Sequence, residues 1–169
     1  MQIEIRSPLG PLSLTSKEGK LTHLQFSEHR ASNPDIQHKN SNSRDLEIIQ
    51  QACLQLLEYF NGKRQVFNLP LSPQGTNFQK DAWNIIKEIP YGETRSYTWQ
   101  SNAIKKVRGQ RAVGIANSKN PLPILIPCHR IIGKDGALKK YIGGTRIKKC
   151  LLLHESFFHS QKKLGLPLK

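Results

Sequence analysis

The sequence predicts an α/β (α+β) fold in two parts: a small antiparallel sheet with one helix, then a helical part with a helix-turn-helix. Residues 2–26 contain short runs in which apolar and polar side chains alternate, as in strands with one buried face. Residues 45–60 and 77–89 place apolar side chains three and four residues apart, as on one face of a helix. Two shorter helices around a basic stretch ending in Gly109 predict the helix-turn-helix.

The N-terminal strands are expected to form a meander. The alternating runs are Gln2–Arg6, Leu12–Thr15 and Leu21–Phe26, and they are separated by turns at Ser7–Pro11 and Gly19–Lys20. Residues 30–44 are polar and are interpreted as a loop. The two turns are short enough to join neighbouring antiparallel strands.

The first helix is expected to start at Asp45 and to end at Asn61-Gly62. Its apolar face consists of Leu46, Ile49, Ala52, Cys53, Leu56 and Phe60. Cys53 is therefore interpreted as a packed core thiol. Residues 65–71 are predicted to form another strand, and residues 70–76 a linker.

Charge divides the chain near residue 75. Residues 1–74 contain eight Lys/Arg and seven Asp/Glu, a net charge of +1, whereas residues 75–169 contain 18 and five, a net charge of +13. Clustered cations gain free energy by releasing counterions from phosphates, so the second half is typical of a polyanion-binding domain. We therefore predict a structural domain over residues 1–74 and a DNA-binding domain over residues 75–169.

Three helices are predicted at the start of the second domain. The first covers residues 77–89 and stops at Pro90. The second covers residues 96–104 with Ser96 as its N-cap, and the third covers residues 110–118.

Composition excludes several classes of protein. No apolar run approaches the roughly 18 residues that span a bilayer. The N-terminus lacks the pattern of a secretory leader, which favours a cytoplasmic location, or a nuclear one in a eukaryote. The cysteines Cys53, Cys128 and Cys150 are far apart and no histidines fall at metal-ligand spacing, so we expect neither a disulfide framework nor a metal.

Cys128 is the thiol most suited to chemistry. Three prolines, at positions 121, 123 and 127, exclude a regular helix and are expected to hold the backbone extended up to Cys128. His129 follows directly and Glu155 lies downstream, a composition that suits a Cys-His-Glu relay. A buried core cysteine next to a surface histidine is the alternative interpretation of the pair.

Residues 120–156, NPLPILIPCHRIIGKDGALKKYIGGTRIKKCLLLHES, closely resemble the active-site region of O6-alkylguanine-DNA alkyltransferases, with their Pro-Cys-His-Arg signature. FQKDAWNIIKEIPYGETRSY resembles the first helix of that family's DNA-binding domain, RAVGIANSKNP its recognition helix and hinge, and SPLGPLSLTSKEGKLTHLQF its opening hairpin. The resemblance implies an N-terminal domain like ribonuclease H and a winged-helix-like C-terminal domain.

The resemblance also implies the catalytic residues. Cys128 aligns with the alkyl acceptor, and His129 with the base that takes the thiol proton through a water. Glu155 would orient His129 and stabilise its cation. Asn120 aligns with the hinge residue that supports the thiol, and Tyr97 with the donor toward guanine N3.

The same resemblance implies contacts to a flipped base and to DNA. Arg111 would fill the vacated place in the base stack, although a simple phosphate contact fits that position equally. Small residues at Ala112 and Gly114 would let the recognition helix enter the minor groove. Tyr141 would form a wall of the base pocket. The remaining residues assigned to substrate or DNA are Arg130, Ile131, Ile142, Gly143 and Lys148.

Three positions depart from the family pattern. Gln110 stands where Ala is common, so the DNA contact differs there. Ile142 replaces a small residue, which changes the shape of the pocket. Cys150 stands where a large apolar residue is usual, and it is therefore interpreted as core.

The resemblance predicts single-use transfer of an alkyl group from O6-alkylguanine, and from O4-alkylthymine, in double-stranded DNA to Cys128. No cofactor, no membrane and a monomer are expected. Three alternatives remain open at this point. They are a lesion-recognition protein without transfer activity, a helix-turn-helix module with an incidental thiol, and a thiol hydrolase that turns over repeatedly.

Overall fold

The computed structural model describes residues 1–27, 43–106 and 108–164 of the chain. The chain divides into two compact units, Met1–Gln74 and Gly75–Lys169. The predicted α/β (α+β) fold is confirmed, since a three-stranded antiparallel sheet and a helix form the first unit and helices dominate the second. Of the predicted loop over residues 30–44, residues 30–42 lie outside the described residues.

The sheet of the first unit is the predicted meander. Strands β1 (Gln2–Ile5), β2 (Leu12–Lys17) and β3 (Lys20–Phe26) pair in the order β1-β2-β3, with Ile3 opposite Leu14 and Leu14 opposite Leu24. Alternate side chains of β2 and β3 point to one face because the period of a strand is two residues. That face carries the buried residues Leu12, Leu14 and Leu24, and a register shift at Thr15/Ser16 brings the buried Leu21 opposite Ser16 on the same face.

Helix α1 (Ser43–Phe60) begins two residues before the predicted start. Its buried positions are Asp45, Ile49, Ala52, Gln55, Leu56 and Tyr59. The apolar face is thus rotated slightly from the predicted one, since Leu46 is 41% exposed while Tyr59 is fully buried. Cys53 is half-buried, so the prediction that it is a fully packed core thiol is only partly right.

The predicted strand over residues 65–71 is wrong. Within it, Leu71 forms a single isolated bridge with Leu21. The main-chain groups of Asn68 are instead hydrogen-bonded by the side chain of Gln55, whose Nε2 donates to Asn68 O and whose Oε1 accepts from Asn68 N. The Gln55 amide thus makes the main-chain hydrogen bonds that a neighbouring strand would make. Pro70 has no N–H to donate to a strand partner.

The second unit starts with helix α2 (Asn77–Lys87), which has a capping box. Thr76 Oγ1 accepts from Gln79 N, and Gln79 Oε1 accepts from Thr76 N, so two main-chain donors at the helix start are satisfied. Trp83 is buried on the inner face of α2 and donates from Nε1 to Ala116 O at 2.9 Å. This bond ties α2 to the last turn of helix α4 (Gln110–Ser118).

Helices α3 (Tyr97–Ala103) and α4 form the predicted helix-turn-helix. Ser96 caps α3 as predicted, because its Oγ accepts from Trp99 N. The two helices are joined in the core by a pair of amide hydrogen bonds between Gln100 and Asn117, at 2.8 and 2.9 Å. These buried bonds fix the angle between two helices whose own propensity is weak.

The remaining elements connect the helix-turn-helix to the end of the chain. A single 3-10 turn, Cys128–Arg130, leads into strand β5 (Ile131–Ile132), which pairs in parallel with strand β4 (Arg95–Ser96). Helix α5 (Gly144–Lys163) then buries Lys148, Leu151 and Glu155 on one face. Cys150 is exposed, so its interpretation as a core residue is wrong: it lies on α5 between two buried positions but points away from them.

Candidate active site on a DNA-binding domain

The Cys128 thiol is buried at the start of the 3-10 turn, with 2% of the residue exposed. The preceding segment is not extended, as its prolines predicted, but turns back on itself. Ile126 N donates to Leu122 O, and Ile124 has a positive φ of 72°. Prolines exclude a helix but do not select an extended chain, and the turn is set by a side chain earlier in the sequence.

That side chain is Asn120, which is fully buried. Its Nδ2 donates to Ile126 O at 2.8 Å and to Cys128 Sγ at 3.1 Å, and its Oδ1 accepts from Leu122 N at 3.0 Å. The amide uses two donors and one acceptor, so it fixes both ends of the turn and the sulfur at once. The resemblance assigns this residue to the hinge that supports the thiol.

An Asn120→Ala variant is expected to unfold more easily, because at least one buried main-chain group loses its partner. The expected loss of unfolding free energy is about 1–3 kcal/mol, measured by urea denaturation. Asn102→Ala is a matched control, since Asn102 is an exposed residue of α3. Equal stability of Asn120→Ala and the wild type would mean that the prolines alone hold the turn.

Burial and neighbouring groups act on the Cys128 thiol in opposite directions. Burial raises the pKa of the thiol to about 11, against the lowering effects of the Asn120 hydrogen bond and the Lys148 charge. An apolar environment alone would leave the thiol inert. A thiol in such surroundings becomes a nucleophile only where nearby groups accept its proton or stabilise its anion.

His129 and Glu155 form the predicted pair. His129 is fully buried, and its Nε2 is 2.8 Å from Glu155 Oε1. Burial lowers the pKa of His129, against the hydrogen bond and charge of Glu155 that raise it, so the imidazole is a neutral base. Within the described ranges, its other ring nitrogen, Nδ1, is buried and makes no hydrogen bond. Nδ1 is thus the ring atom left to accept a proton.

Arg130, which the resemblance assigned to substrate or DNA, points its guanidinium into the domain. It is 6% exposed, and its Nε and Nη2 donate to the two oxygens of Glu155 at 2.8 and 2.9 Å. Its Nη1 donates to Ile89 O at 2.7 Å. The guanidinium thus directs three hydrogen bonds into the domain. Burial raises the pKa of Glu155, but the hydrogen bonds from His129 and Arg130 and the charge of Arg130 outweigh it and hold that pKa well below its ordinary value.

Gly92 is a further contributor that the sequence interpretation missed. Its N donates to Glu155 Oε2 at 3.1 Å. Its φ is +78°, and a side-chain carbon added here would lie 2.7 Å from Cβ and Cγ of His159. The position after Pro90-Tyr91 thus requires glycine for conformation and for space. The Pro-Tyr-Gly sequence could have predicted the positive φ of Gly92. It could not have predicted that Gly92 N donates to Glu155, 63 residues away in sequence.

The β4–β5 pair places Tyr97 and Lys148 near the thiol-bearing turn. Arg95 pairs with Ile131 and Ser96 with Ile132. Tyr97, the first residue of α3, therefore lies beside the strand that follows the Cys128 turn. Burial, and then the charge of Cys128, raise the pKa of the half-buried Tyr97. Lys148 is 1% exposed and donates to Ile131 O, so it does not reach the protein surface as a DNA contact would.

Tyr141, Ile142 and Gly143 lie in the segment before α5. Tyr141 is 9% exposed and its ring meets that of His129 edge-on, with centroids 6.4 Å apart. Burial, with smaller effects from Cys128 and Glu155, raises the pKa of Tyr141 well above its ordinary value. Ile142 is 44% exposed and Gly143 is intermediate, so this segment passes from the buried site to the surface.

A surface cavity of about 470 Å³ lies between α4 and the segment before Tyr141. Tyr97, which the resemblance makes a catalytic residue, lines the cavity together with Arg111 and Gly114, which it makes DNA contacts. The rest of the lining is Gln110, Ile115, Ser118, Lys139 and Lys140. Ala112 is exposed on α4 but does not line the cavity. The cavity combines cations with an aromatic ring, which suits a nucleic acid.

No group of three or more His, Cys, Asp or Glu side chains in the described part of the chain could hold a metal ion. Among those residues, too, no helix is long and apolar enough to cross a membrane.

The fold and the site define a class of protein in which a helix-turn-helix domain holds a buried thiol beside a hydrogen-bonded histidine and glutamate. Two family models match the chain: 6-O-methylguanine DNA methyltransferase, ribonuclease-like domain, over residues 4–73, and 6-O-methylguanine DNA methyltransferase, DNA binding domain, over residues 77–157. The chain belongs to the 6-O-methylguanine DNA methyltransferase family.

Relatives of this chain carry the same description. It is 45% identical over 150 residues to a methylated-DNA–protein-cysteine methyltransferase of Methanosarcina barkeri, covering 88% of this chain and 92% of the relative. It is 41% identical to the constitutive enzyme of that name from Bacillus subtilis, covering 92% and 95%. A crystal structure of Mycobacterium tuberculosis OGT in complex with DNA is similar with a TM-score of 0.80 and 38% identity, covering 92% of each chain.

Proposed function

We propose that this protein repairs O6-methylguanine in DNA by transferring the methyl group to its own Cys128. One observation carries the assignment to Cys128: the thiol is buried against Asn120, and the histidine beside it is hydrogen-bonded to a buried carboxylate. Cys53 and Cys150 have no such surroundings among the described residues. The family's DNA-binding domain contains this thiol, so the protein binds DNA with the domain that reacts.

The transfer is a displacement in which one bond replaces another. A bond forms between Cys128 Sγ and the methyl carbon, while the bond from that carbon to O6 breaks. The thiol proton passes through a water to His129 Nδ1, and Glu155 stabilises the resulting imidazolium. Tyr97 donates a proton toward N3 of the departing guanine and regains one from the relay. The thioether has no route back to a thiol, so each molecule acts once.

The base must leave the duplex because O6 is hidden from a buried thiol. We propose that α4 enters the minor groove, where Ala112 and Gly114 permit close approach, and that Arg111 fills the vacated stack. Tyr141 then packs against the flipped base. Main-chain groups at Cys128, Ile131 and Ile142 hydrogen-bond its edges.

Pocket shape sets the range of substrates. Ile142 and Gly143 border the proposed base pocket, and the large Ile142 is expected to disfavour bulky alkyl groups relative to methyl. O4-alkylthymine is proposed as a second substrate, because it offers the same alkyl–oxygen bond to the thiol.

We further propose that the protein acts as a cytoplasmic monomer. All of the proposed site residues come from one unit of one chain, so no second copy is needed to complete the site. The nucleophile is a free thiol, which requires a reducing compartment such as the cytoplasm.

Mass spectrometry tests the proposed function directly. The protein is incubated with a duplex that contains one O6-methylguanine, and its intact mass is followed before peptide mapping. The expected result is one added methyl group per molecule, located on Cys128, with no further increase. Tight lesion-dependent binding without an adduct would favour lesion recognition, and repeated turnover would favour a hydrolase.

An Arg111→Ala variant is expected to repair duplex DNA about 10–100-fold more slowly, because the few kcal/mol of unstacking are no longer offset. Its transfer rate on a single-stranded oligonucleotide should stay close to that of the wild type. Single-turnover kinetics on both substrates check this. Lys119→Ala is the control, since Lys119 is an exposed cation just after α4. Equal losses on both substrates would assign Arg111 to phosphate contact alone.

A further inference from the structure

Lys148 is a buried cation for which the proposed reaction has no step. Lys148 is 1% exposed. Within the described residues, no carboxylate lies at ion-pair distance from its ammonium group. Burying an ammonium group without a counter-ion costs free energy, and such groups are concentrated at functional sites.

Three elements meet at the Lys148 ammonium group. It projects from α5 and donates from Nζ to Ile131 O in β5, three residues after the nucleophile. It also lies 5.8 Å from the centroid of the Tyr97 ring at the start of α3, within the range of a cation–π contact. Lys148 thus contacts both the chain that leaves Cys128 and the proposed proton donor.

The group that can balance this charge is the Cys128 thiolate. The charge of Cys128 raises the pKa of Lys148 while burial, the larger effect, lowers it. The other titratable groups that face the thiol are Tyr97 from α3 and Tyr141 from the segment before α5, both neutral below their raised pKa values. His129 is neutral as well, and Glu155 is already paired with Arg130.

We infer that Lys148 is a positioning residue of the transfer reaction: its ammonium group holds β5 and the Tyr97 ring beside Cys128 and stabilises the thiolate by its charge. This inference rests on the proposed function, because it assigns a role within the methyl transfer. It gives a specific role to a residue that the resemblance assigned only to substrate or DNA.

The test measures how fast iodoacetamide alkylates Cys128 from pH 6 to pH 10, resolved from Cys53 and Cys150 by peptide mass spectrometry. Lys148→Met removes the charge and the donor, Lys148→Gln keeps a donor without the charge, and Lys148→Arg keeps the charge. Lys149→Met is the matched control, since Lys149 is the exposed neighbour on α5. Methyl transfer from the O6-methylguanine duplex is measured in parallel.

We expect Lys148→Met and Lys148→Gln to react at least about tenfold more slowly than the wild type near pH 7, the effect of one unit in the thiol pKa. This deficit should shrink as the pH rises, because wild-type Lys148 then loses its own proton. Lys148→Arg and Lys149→Met should keep most of the wild-type rate. A deficit that is the same at every pH, or no deficit in a folded Lys148→Met variant, would overturn the inference.

A second measurement needs no variant and covers the case in which the uncharged variants do not fold. The ¹⁵N resonance of Lys148 Nζ is titrated in the wild type before and after Cys128 is alkylated. Electrostatic coupling is reciprocal, so loss of the thiolate should lower the pKa of Lys148. An unchanged Lys148 titration would exclude the charge interaction. The alkylation and titration tests need no DNA, so their outcome does not depend on the proposed function. A protein that passes both tests but accepts no methyl group from DNA would contradict the proposed function and leave the role of Lys148 beside Cys128 intact.

Discussion

Cys128→Ala is expected to accept no methyl group from O6-methylguanine DNA, while it still binds the duplex. The substitution removes the sulfur that forms the new bond, and no other thiol in the described residues has a histidine relay beside it. The DNA contacts proposed on α4 and around the cavity are left unchanged. Intact mass spectrometry and a binding titration of the same preparation measure the two properties.

The matched controls are Cys53→Ala and Cys150→Ala, which remove the other two thiols. Cys53 is half-buried in the first unit and Cys150 is exposed on α5, so both variants should accept one methyl group at the wild-type rate. A methyl group found on Cys150 in the Cys128→Ala protein would contradict the assignment, and so would a stoichiometric adduct at any other residue.

Local patterns were sufficient to predict the elements that carry the site. The start of α3 could be predicted from Ser96, because an N-cap bonds to a main-chain N–H only two or three residues further on, here that of Trp99. The meander and the helix-turn-helix were likewise predicted from spacing and turn residues. Residues 65–71 were misassigned as a strand because their main-chain groups bond to the Gln55 side chain, which alternation of apolar residues does not reveal.

The partners of the relay could not be predicted from spacing. Glu155 receives hydrogen bonds from Arg130 and Gly92, which are 25 and 63 residues away in sequence. Arg130 in a basic domain is typical of a DNA contact, and only the packing of α5 shows that it is used internally. The exposure of Cys150 was missed for a related reason. Which face of α5 is buried depends on the turn that it packs against, and the spacing of apolar residues in α5 is too irregular to show it.

A Glu155→Gln variant is expected to lose about 3–5 kcal/mol of unfolding free energy, because Arg130 is left as a buried charge without a counter-ion. The same change deprives the His129 imidazolium of its stabilising charge. We therefore expect methyl transfer to slow by about 10²–10⁴-fold, the usual contribution of acid–base catalysis. Urea denaturation and single-turnover transfer kinetics measure the two effects.

The stability effect should depend on pH with a defined sign. The pKa of Glu155 is held well below its ordinary value in the folded protein. Its contribution to stability is therefore fully present above the unfolded carboxyl pKa of about 4.3, and it is lost as the pH falls below that value. The difference in unfolding free energy between the wild type and Glu155→Gln should accordingly be largest near neutral pH and shrink in acid. A constant difference would mean that lost packing, not lost charge, causes the effect.

The double variant Arg130→Met with Glu155→Gln separates the two roles of this carboxylate. Removing both charges leaves neither member of the Arg130–Glu155 pair as an unpaired ion, so much of the stability lost in Glu155→Gln should return. Transfer should stay slow, because His129 still lacks an anion to stabilise its protonated form. Recovery of both properties together would mean that Glu155 serves the fold alone. Recovery of stability without activity would place the carboxylate in the proton relay, with Arg130 as the group that keeps it ionised inside the protein.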